Sequence, residues 1–282
     1  MREIALAGWS PYGMGLGADG SVWMTVLEPP GLVRLEPAAV DGAEVTLRAL
    51  PAKPLLVAVG GDGTVWHTSQ DDRIGRDGET WFDLPTGSAP YGIAANSAGG
   101  AWFTAPGIDR LGRITAGGEV ETVELPVAGA YPAMLTVTAD GAVWAALNAA
   151  GQLARWAGGV VDIVDLPGGR TMAAPVGIAA QGDRVWFADI AGGSVGLADA
   201  AGEVARVTFD DPACRPHAVA AAPDGGCWVT LWGSGQLGRV TAEGSVQLFE
   251  LPGREPHGLV VAGDEVWVAM ESGSVVRVGI GG

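Results

Sequence analysis

Residues 11–25 read PYGMGLGADGSVWMT, and this segment returns in altered form six more times along the chain. Each copy contains a proline, a short apolar run, a turn rich in glycine and aspartate, and a second apolar run that includes a tryptophan. The other copies are PLLVAVGGDGTVWHT, PYGIAANSAGGAWFT, PAMLTVTADGAVWAA, PVGIAAQGDRVWFAD, PHAVAAAPDGGCWVT and PHGLVVAGDEVWVAM. Their tryptophans lie 36 to 43 residues apart, and a repeat of this length made of short strands and turns is typical of β-propellers.

The sequence between the copies supplies two further strands to each repeat. Several copies continue as LGRITAGGEVETVELP or LGRVTAEGSVQLFELP, which reads as a strand, a glycine turn and another strand. We therefore predict an all-β fold: a seven-bladed β-propeller with four-stranded antiparallel blades, forming a single domain over residues 1–282. The last copy is followed by only one strand, near residues 276–280. We expect residues 2–7 to supply its missing outer strand and to close the ring.

The charge and composition of the chain exclude several classes of partner. Its 282 residues include 32 acidic and 16 basic side chains, and the formal net charge of −16 repels the phosphate backbone of nucleic acids. No apolar stretch approaches the roughly 18 residues of a membrane-spanning helix, and the first residues lack the pattern of a signal peptide. Cys214 and Cys227 have no metal-binding or redox spacing. We expect a cytoplasmic, monomeric protein that acts on a small molecule.

The residue after the anchoring proline differs from repeat to repeat, and in a propeller these positions surround one mouth of the central channel. Two of the three histidines in the chain, His217 and His257, occupy this position in neighbouring blades. The third, His67, follows a strand tryptophan, and we predict that it belongs to the scaffold. The pattern therefore predicts a functional site at the last two blades. The seven residues are Tyr12, Leu55, Tyr91, Ala133, Val176, His217 and His257.

Two glutamates of the last repeat are predicted to lie beside His257. Glu255 precedes it by two residues, and Pro256 favours an extended backbone in which both side chains point the same way. Glu271 lies four residues after Trp267, where no other repeat has a carboxylate. Facing carboxylates need a cation or a shared proton between them, and oxygen ligands with room for water suit Mg²⁺. The alternative is that both are rim carboxylates in solvent. The neutral imidazole beside such an ion would be a general base.

The last two blades resemble those of the virginiamycin B lyase family, whose members inactivate streptogramin B antibiotics. The sixth blade carries RPHAVAA and WVTLWG, and the seventh carries EPHGLVVAGDEVWVAME, with both glutamates and the histidine at matching spacing. The opening SPYGM also matches the start of the family's first blade. The resemblance implies a monomeric, Mg²⁺-dependent propeller that opens a cyclic depsipeptide by elimination at its threonyl ester, and so confers antibiotic resistance.

The resemblance also implies a role for individual residues. Glu255 and Glu271 would hold the metal, and His257 would be the catalytic proton acceptor. His217 would contact the substrate near the reacting ester, and Tyr12 would line the pocket.

Further substrate contacts and two other activities complete the set of expectations. Tyr91 and Trp232 add aromatic surface that suits the large apolar ring of a depsipeptide, whereas Leu231 stands where the family carries a glutamate. Because a propeller hosts many functions, a metal-dependent hydrolase or lactonase and a non-catalytic binding module remain alternatives. The mass of the product separates a lyase from a hydrolase, since only hydrolysis adds a water.

Overall fold

A computed structural model describes residues 1–39, 44–96, 98–202 and 204–280. Within these residues the chain forms seven four-stranded antiparallel sheets, as predicted. Short β-branched and apolar runs form the strands, and glycine–aspartate turns end them. Two single-turn helical segments interrupt the pattern, a 3-10 turn at Pro106–Ile108 and α1 at Gly169–Met172. No helix in the described ranges has the length and apolar character needed to cross a bilayer.

The strands of each blade follow one another from the channel outwards. The chain starts with β1 (Arg2–Ala5), and blade 1 then comprises β2 (Pro11–Leu16), β3 (Val22–Val26), β4 (Gly31–Leu35) and β5 (Leu47–Ala49). Blade 2 comprises β6 (Pro54–Val59), β7 (Val65–Ser69), β8 (Arg73–Arg76) and β9 (Thr80–Asp83). Blade 3 comprises β10 (Ile93–Ala95), β11 (Ala101–Ala105), β12 (Arg110–Ile114) and β13 (Val120–Glu124).

The remaining four blades repeat this arrangement. Blade 4 comprises β14 (Pro132–Val137), β15 (Val143–Leu147), β16 (Gln152–Ala157) and β17 (Val160–Asp165). Blade 5 comprises β18 (Pro175–Gln181), β19 (Arg184–Asp189), β20 (Ser194–Ala198) and β21 (Val204–Thr208). Blade 6 comprises β22 (Pro216–Ala221), β23 (Cys227–Leu231), β24 (Gln236–Val240) and β25 (Val246–Glu250). Blade 7 takes β26 (Pro256–Ala262), β27 (Glu265–Met270) and β28 (Ser274–Gly279) from the end of the chain.

The fourth strand of blade 7 comes from the start of the chain, which confirms the predicted closure. β1 pairs antiparallel with β28, with Arg2 opposite Arg277 and Ala5 opposite Ser274. The sheet therefore has the order β1-β28-β27-β26. Pairing the two strands covers the free edge that blade 7 would otherwise expose.

The core lies between neighbouring blades rather than inside one sheet. The repeat tryptophans Trp66, Trp144 and Trp267 are among the largest side chains with almost no exposed surface. Trp267 packs in one apolar cluster with Met24 of blade 1, so its ring joins the first and last blades. Truncating a buried tryptophan lowers the stability of a protein by about 3–5 kcal/mol. Because these tryptophans fill equivalent positions between blades, we assign them to the scaffold.

His67 is part of this scaffold, as predicted. It is fully buried in blade 2, its Nε2 has no hydrogen-bond partner, and its ring meets Trp81 edge to face at 5.1 Å. Phe103 and Phe187 take the equivalent position in blades 3 and 5. In all three blades a glycine lies under the ring, and a Cβ there would clash with it. His67 therefore occupies a slot that is shaped for phenylalanine.

Replacing His67 with phenylalanine should stabilise the protein, and more so in acid. Burial lowers the pKa of His67 to about 4 from the usual 6.5. Because the folded-state pKa is below the unfolded value, stability is lost as the pH falls from about 6.5 towards 4, by about 2 kcal/mol at pH 5. Denaturant unfolding of the two proteins should therefore differ more at pH 5 than at pH 7.5. Phe103→His in blade 3 should create the same acid sensitivity. An equal gain at both pH values would contradict this account.

Candidate active site at the channel mouth

The innermost strands of all seven blades line one narrow central channel. It encloses about 140 Å³ and is lined by apolar side chains, including Met14, Leu56, Ile93, Met134 and Leu259. Such a space offers no acid or base to a substrate. The chemistry-bearing residues lie instead at the mouth, where the innermost strands begin.

A β-bulge turns the residue after the anchoring proline towards this mouth. In six blades the pairing of the first two strands shifts register between the proline and the residue three positions later, for example between Pro216 and Val219 and between Pro256 and Leu259. A bulge leaves a residue out of the ladder and redirects its side chain. This is why His217 and His257, which follow these prolines, leave their own sheets and face each other.

The structure brings together the aromatic and imidazole side chains predicted for the site. The rings of His217 and His257 meet edge to face at 4.8 Å, and the ring of Tyr12 lies 4.4 Å from that of His257. Trp232 lies 6.3 Å from His257 on the side of blade 6. The hydroxyl groups of Tyr12 and Tyr91 share a hydrogen bond of 2.9 Å. Blades 1, 3, 6 and 7 therefore contribute to one cluster.

His257 and Glu271 form a direct pair at the centre of this cluster. Pro256 and Met270 are opposite each other at the end of the ladder, so Glu271 lies just beyond it, and its side chain reaches His257, with Nε2 2.6 Å from Oε2. Burial lowers the pKa of His257 to about 4 and raises the pKa of Glu271. At neutral pH the imidazole is therefore uncharged. The nitrogen that faces an ionised carboxylate carries the hydrogen of the neutral ring, so Nε2 becomes a proton acceptor when Glu271 takes another partner.

His217 is also a neutral imidazole at physiological pH. Burial, together with the neighbouring His257, lowers the pKa of His217 to about 3. Both rings are more than nine-tenths covered by protein, so they meet a bound molecule through one edge. His217 in this state can give a hydrogen bond but carries no charge.

The backbone at Glu255 differs from the prediction. Glu255 has φ of +59°, and so do its counterparts before the anchoring prolines of three other blades, at +47° to +50° for Ala89, Tyr131 and Arg215. The expectation of an extended Glu255 is therefore wrong. Glu271 N–H donates to the Glu255 carbonyl at 3.1 Å. Gln70 N–H makes the same bond to Lys53, whose φ is not positive, so this bond does not by itself set the conformation.

The two glutamates of the site offer oxygen atoms of the kind that bind Mg²⁺. Glu255 and Glu271 are joined through their backbones, Glu271 is half-buried, and the Glu255 side chain is exposed on the rim. No three His, Cys, Asp or Glu side chains of the described residues form a metal-holding group. Mg²⁺ commonly binds through one or two carboxylates and keeps several waters, so two glutamates fit it. Metal binding by this pair stays a prediction.

Two residues at the rim were missed by the sequence reasoning. Lys53 precedes Pro54, and its charge acts on Glu271. Tyr131 precedes Pro132, is about half exposed, and acts electrostatically on Tyr12. The signal that could have found them is the residue before each anchoring proline, which surrounds the same mouth as the residue after it.

An open groove extends from the cluster between blades 6 and 7. It encloses about 630 Å³ and includes Trp232, Arg215, Arg254 and Glu255 in its walls. Arg215 lies over the ring of Trp232 at 5.4 Å. A groove of this size, with an aromatic wall and charged edges, can hold part of a bulky ligand outside the channel.

A threonine in β23 fixes the backbone of both histidine segments. Thr230 Oγ1 accepts a hydrogen bond from Ala218 N–H at 3.0 Å and donates one to the His257 carbonyl at 2.8 Å. Thr25, Thr68 and Thr104 form the same tie between their own blade and the next. Blades 4, 5 and 7 have alanine there. Thr230 is therefore the tie that sets the position of His257 relative to His217.

Replacing Thr230 with valine should lower kcat by roughly 10–100-fold, because small misplacements of a reacting group are costly. It should also destabilise the protein by about 1–3 kcal/mol, since two buried polar groups lose their partner. Thr104→Val is the matched control: it breaks the same tie between Gly92 and Ala133, away from both histidines. Equal kcat values in the two variants would rule out a positioning role for Thr230.

Comparisons with known proteins find similarity to virginiamycin B and streptogramin B lyases over nearly the whole chain. The family model of virginiamycin B lyases matches residues 1–278. The virginiamycin B lyase of Nocardia farcinica (strain IFM 10152) is 36% identical over 287 residues, which cover 98% of each chain. A solved streptogramin B lyase structure superposes with a TM-score of 0.91 at 31% identity and covers 98% of this chain and 96% of that one. A catalytically inactive histidine-to-alanine variant of the Staphylococcus aureus virginiamycin B lyase, crystallised with quinupristin, gives 0.90 at 30% identity, with 98% and 97% covered.

Proposed function

The chain belongs to the virginiamycin B lyase family, and on that premise we propose that it linearises streptogramin B-type cyclic depsipeptides by a Mg²⁺-dependent elimination at the threonyl ester. The observation that carries the proposal is the His257–Glu271 pair, with 2.6 Å between Nε2 and Oε2, set beside His217 at the mouth. A related protein binds quinupristin and is inactive as a histidine-to-alanine variant, which supports a histidine-dependent reaction. In this proposal the enzyme is a carbon–oxygen lyase that confers antibiotic resistance.

In this proposal His257 is the general base. It takes the α-proton of the threonine residue whose side-chain oxygen is esterified. The electron pair of the Cα–H bond becomes the Cα=Cβ bond, and the pair of the Cβ–O bond leaves with the carboxylate oxygen. Nε2 of His257 donates to Glu271 while that carboxylate is ionised, so in this proposal Glu271 turns to the metal and frees Nε2 to accept the proton, because Nδ1 is enclosed by protein. A positioned base of this kind contributes roughly 10²–10⁴ in rate.

Glu255 and Glu271 are the proposed ligands of Mg²⁺. When bound, the ion would act as a Lewis acid that stabilises the negative charge developing on the carbonyl oxygen of the substrate. Glu271 would then exchange its contact with His257 for the metal. The raised pKa of its carboxyl, caused first by burial, is the kind of cost that a bound cation offsets.

The remaining residues of the cluster are proposed to bind the peptide. His217 can donate a hydrogen bond to the ester region while it stays uncharged. Tyr12, Tyr91 and Trp232 present ring surface of the kind that packs against apolar and aromatic groups. The Tyr12–Tyr91 hydrogen bond holds two of these rings in place before a ligand arrives.

We also propose that the enzyme works as a cytosolic monomer. The buried cysteines Cys214 and Cys227 are both free thiols, which suits a reducing compartment. Size-exclusion chromatography with light scattering and cell fractionation would test the two statements separately.

The direct test is incubation of the full chain with quinupristin, with Mg²⁺ or with EDTA, followed by chromatography and mass spectrometry. We expect a ring-opened product of unchanged mass, no product in EDTA, and recovery on adding Mg²⁺. A product heavier by one water would identify a hydrolase, and no change to the antibiotic under any condition would favour a non-catalytic propeller.

A further inference from the structure

Lys53 is the single lysine of the chain, since the other 15 of its 16 basic residues are arginines. It lies on the rim of the mouth, directly before the anchoring Pro54 of blade 2, and its carbonyl accepts a hydrogen bond from Gln70 N–H at 3.0 Å. The general preference of this sequence for arginine gives no reason for a lysine here. An ammonium is a compact point charge on a flexible stem, which suits a small anionic group.

A carboxylate of blade 1 holds the Lys53 ammonium. Its Nζ lies 2.9 Å from Glu28 Oε1, which fixes the side chain to the loop after β3. Lys53 and Glu255 occupy the same position, directly before the anchoring prolines of blades 2 and 7, so both lie on the rim of one mouth. The side chain of Lys53 is only about one-third exposed. Lys53 is therefore held by Glu28 on the rim that carries the His257–Glu271 pair.

The proposed reaction creates a negative charge at this rim. A neutral ester becomes a carboxylate, and Glu28, Glu255 and Glu271 already make the surroundings negative. On the blade 6 side of the cluster, Arg215 lies over Trp232. On the opposite side of the cluster, beyond blade 1, Lys53 is the basic residue at the equivalent position before the anchoring proline.

We propose that Lys53 binds the carboxylate released when the ring opens, with Glu28 positioning its ammonium. This inference rests on the proposed function. His257 takes the proton, the C–H electron pair forms the new double bond, and the C–O pair leaves on the carboxylate oxygen. Lys53 supplies positive charge and hydrogen bonds to that oxygen, and neither a proton nor an electron pair passes to it. As an exposed ion pair, the Lys53–Glu28 contact alone adds little to stability.

Because the chain has one lysine, amine acetylation reports on this side chain directly. The protein is treated with an acetylating reagent, with and without ring-opened quinupristin at a concentration shown by titration to saturate it, and the Lys53 peptide is quantified by mass spectrometry. We expect the ring-opened product to slow acetylation of Lys53 at least three-fold and to leave the α-amino group of Met1 unchanged. Equal acetylation of Lys53 with and without bound product would overturn the proposal.

Kinetics of the otherwise native protein give the second arm. Lys53→Met should lower kcat about 100-fold, as loss of a group that stabilises developing charge does, and Lys53→Arg should recover part of it. Glu28→Gln should lower kcat less, since it only positions the lysine. Arg48→Met is the matched control, because Arg48 forms a similarly exposed ion pair with Glu79 between the same two blades, away from the mouth. An active wild type with Lys53→Met equal to Arg48→Met would refute the role of Lys53 alone, whereas an inactive wild type would refute the proposed function.

Discussion

His257→Ala is expected to remove turnover of a streptogramin B, lowering kcat by about 10²–10⁴-fold. The variant loses the only ring nitrogen that faces Glu271 at 2.6 Å, and no other neutral base in the cluster takes that place, because His217 meets His257 edge to face from the next blade. The measurement is the initial rate of ring opening at saturating antibiotic, followed by chromatography. Binding should survive, because Tyr12 and Trp232 keep their ring surface.

The control for His257→Ala is a substitution at the same position of a distant blade. Val176 follows the anchoring proline of blade 5 and is buried to a similar degree, so Val176→Ala truncates an equivalent side chain away from the cluster. It should keep kcat within about two-fold while its unfolding free energy falls by about 1–3 kcal/mol. Undiminished turnover in His257→Ala would remove the base from the mechanism.

Glu271→Gln is expected to weaken Mg²⁺ binding at least ten-fold and to lower kcat by more than 10²-fold, with little change in Tm. The amide keeps the shape of the side chain and can still bond to His257, but it has lost the charge that a hard cation requires. Isothermal titration with Mg²⁺ and thermal unfolding measure the two effects separately.

Glu124→Gln serves as the control for Glu271→Gln. Glu124 is an exposed carboxylate on the outer strand β13, where it faces Arg110 across the sheet edge. Its replacement removes the same charge from the same chain without touching the mouth. The assignment of Glu271 would fall if Glu271→Gln bound Mg²⁺ like the wild type and unfolded much more easily.

The fold could be predicted from the sequence because the same pattern of residues occurs seven times. Seven tryptophans in one frame indicate seven blades even where a single copy is irregular, and the unpaired last repeat points to β1 as its partner. The same logic located His217 and His257, because equivalent positions of a repeat must meet around one axis.

The rest depended on contacts that join distant parts of the chain. Proline chemistry favoured an extended Glu255, but the backbone there is left-handed, as it is before the anchoring prolines of blades 3, 4 and 6. Thr230 ties to a carbonyl 27 residues away, and Lys53 acts on a residue of another blade. No local pattern predicts such partners, since each depends on the curvature of the closed ring.

The pairing of β1 with β28 has a consequence for biosynthesis. The blade that carries His257 and Glu271 takes its two edges from opposite ends of the polypeptide, so a ribosome must make β28 before that sheet can be finished. Bringing such remote segments together is entropically slow, and blades 1 to 6 can each gather their own strands earlier. The nascent chain should therefore acquire a propeller-like body first and the blade with His257 and Glu271 last.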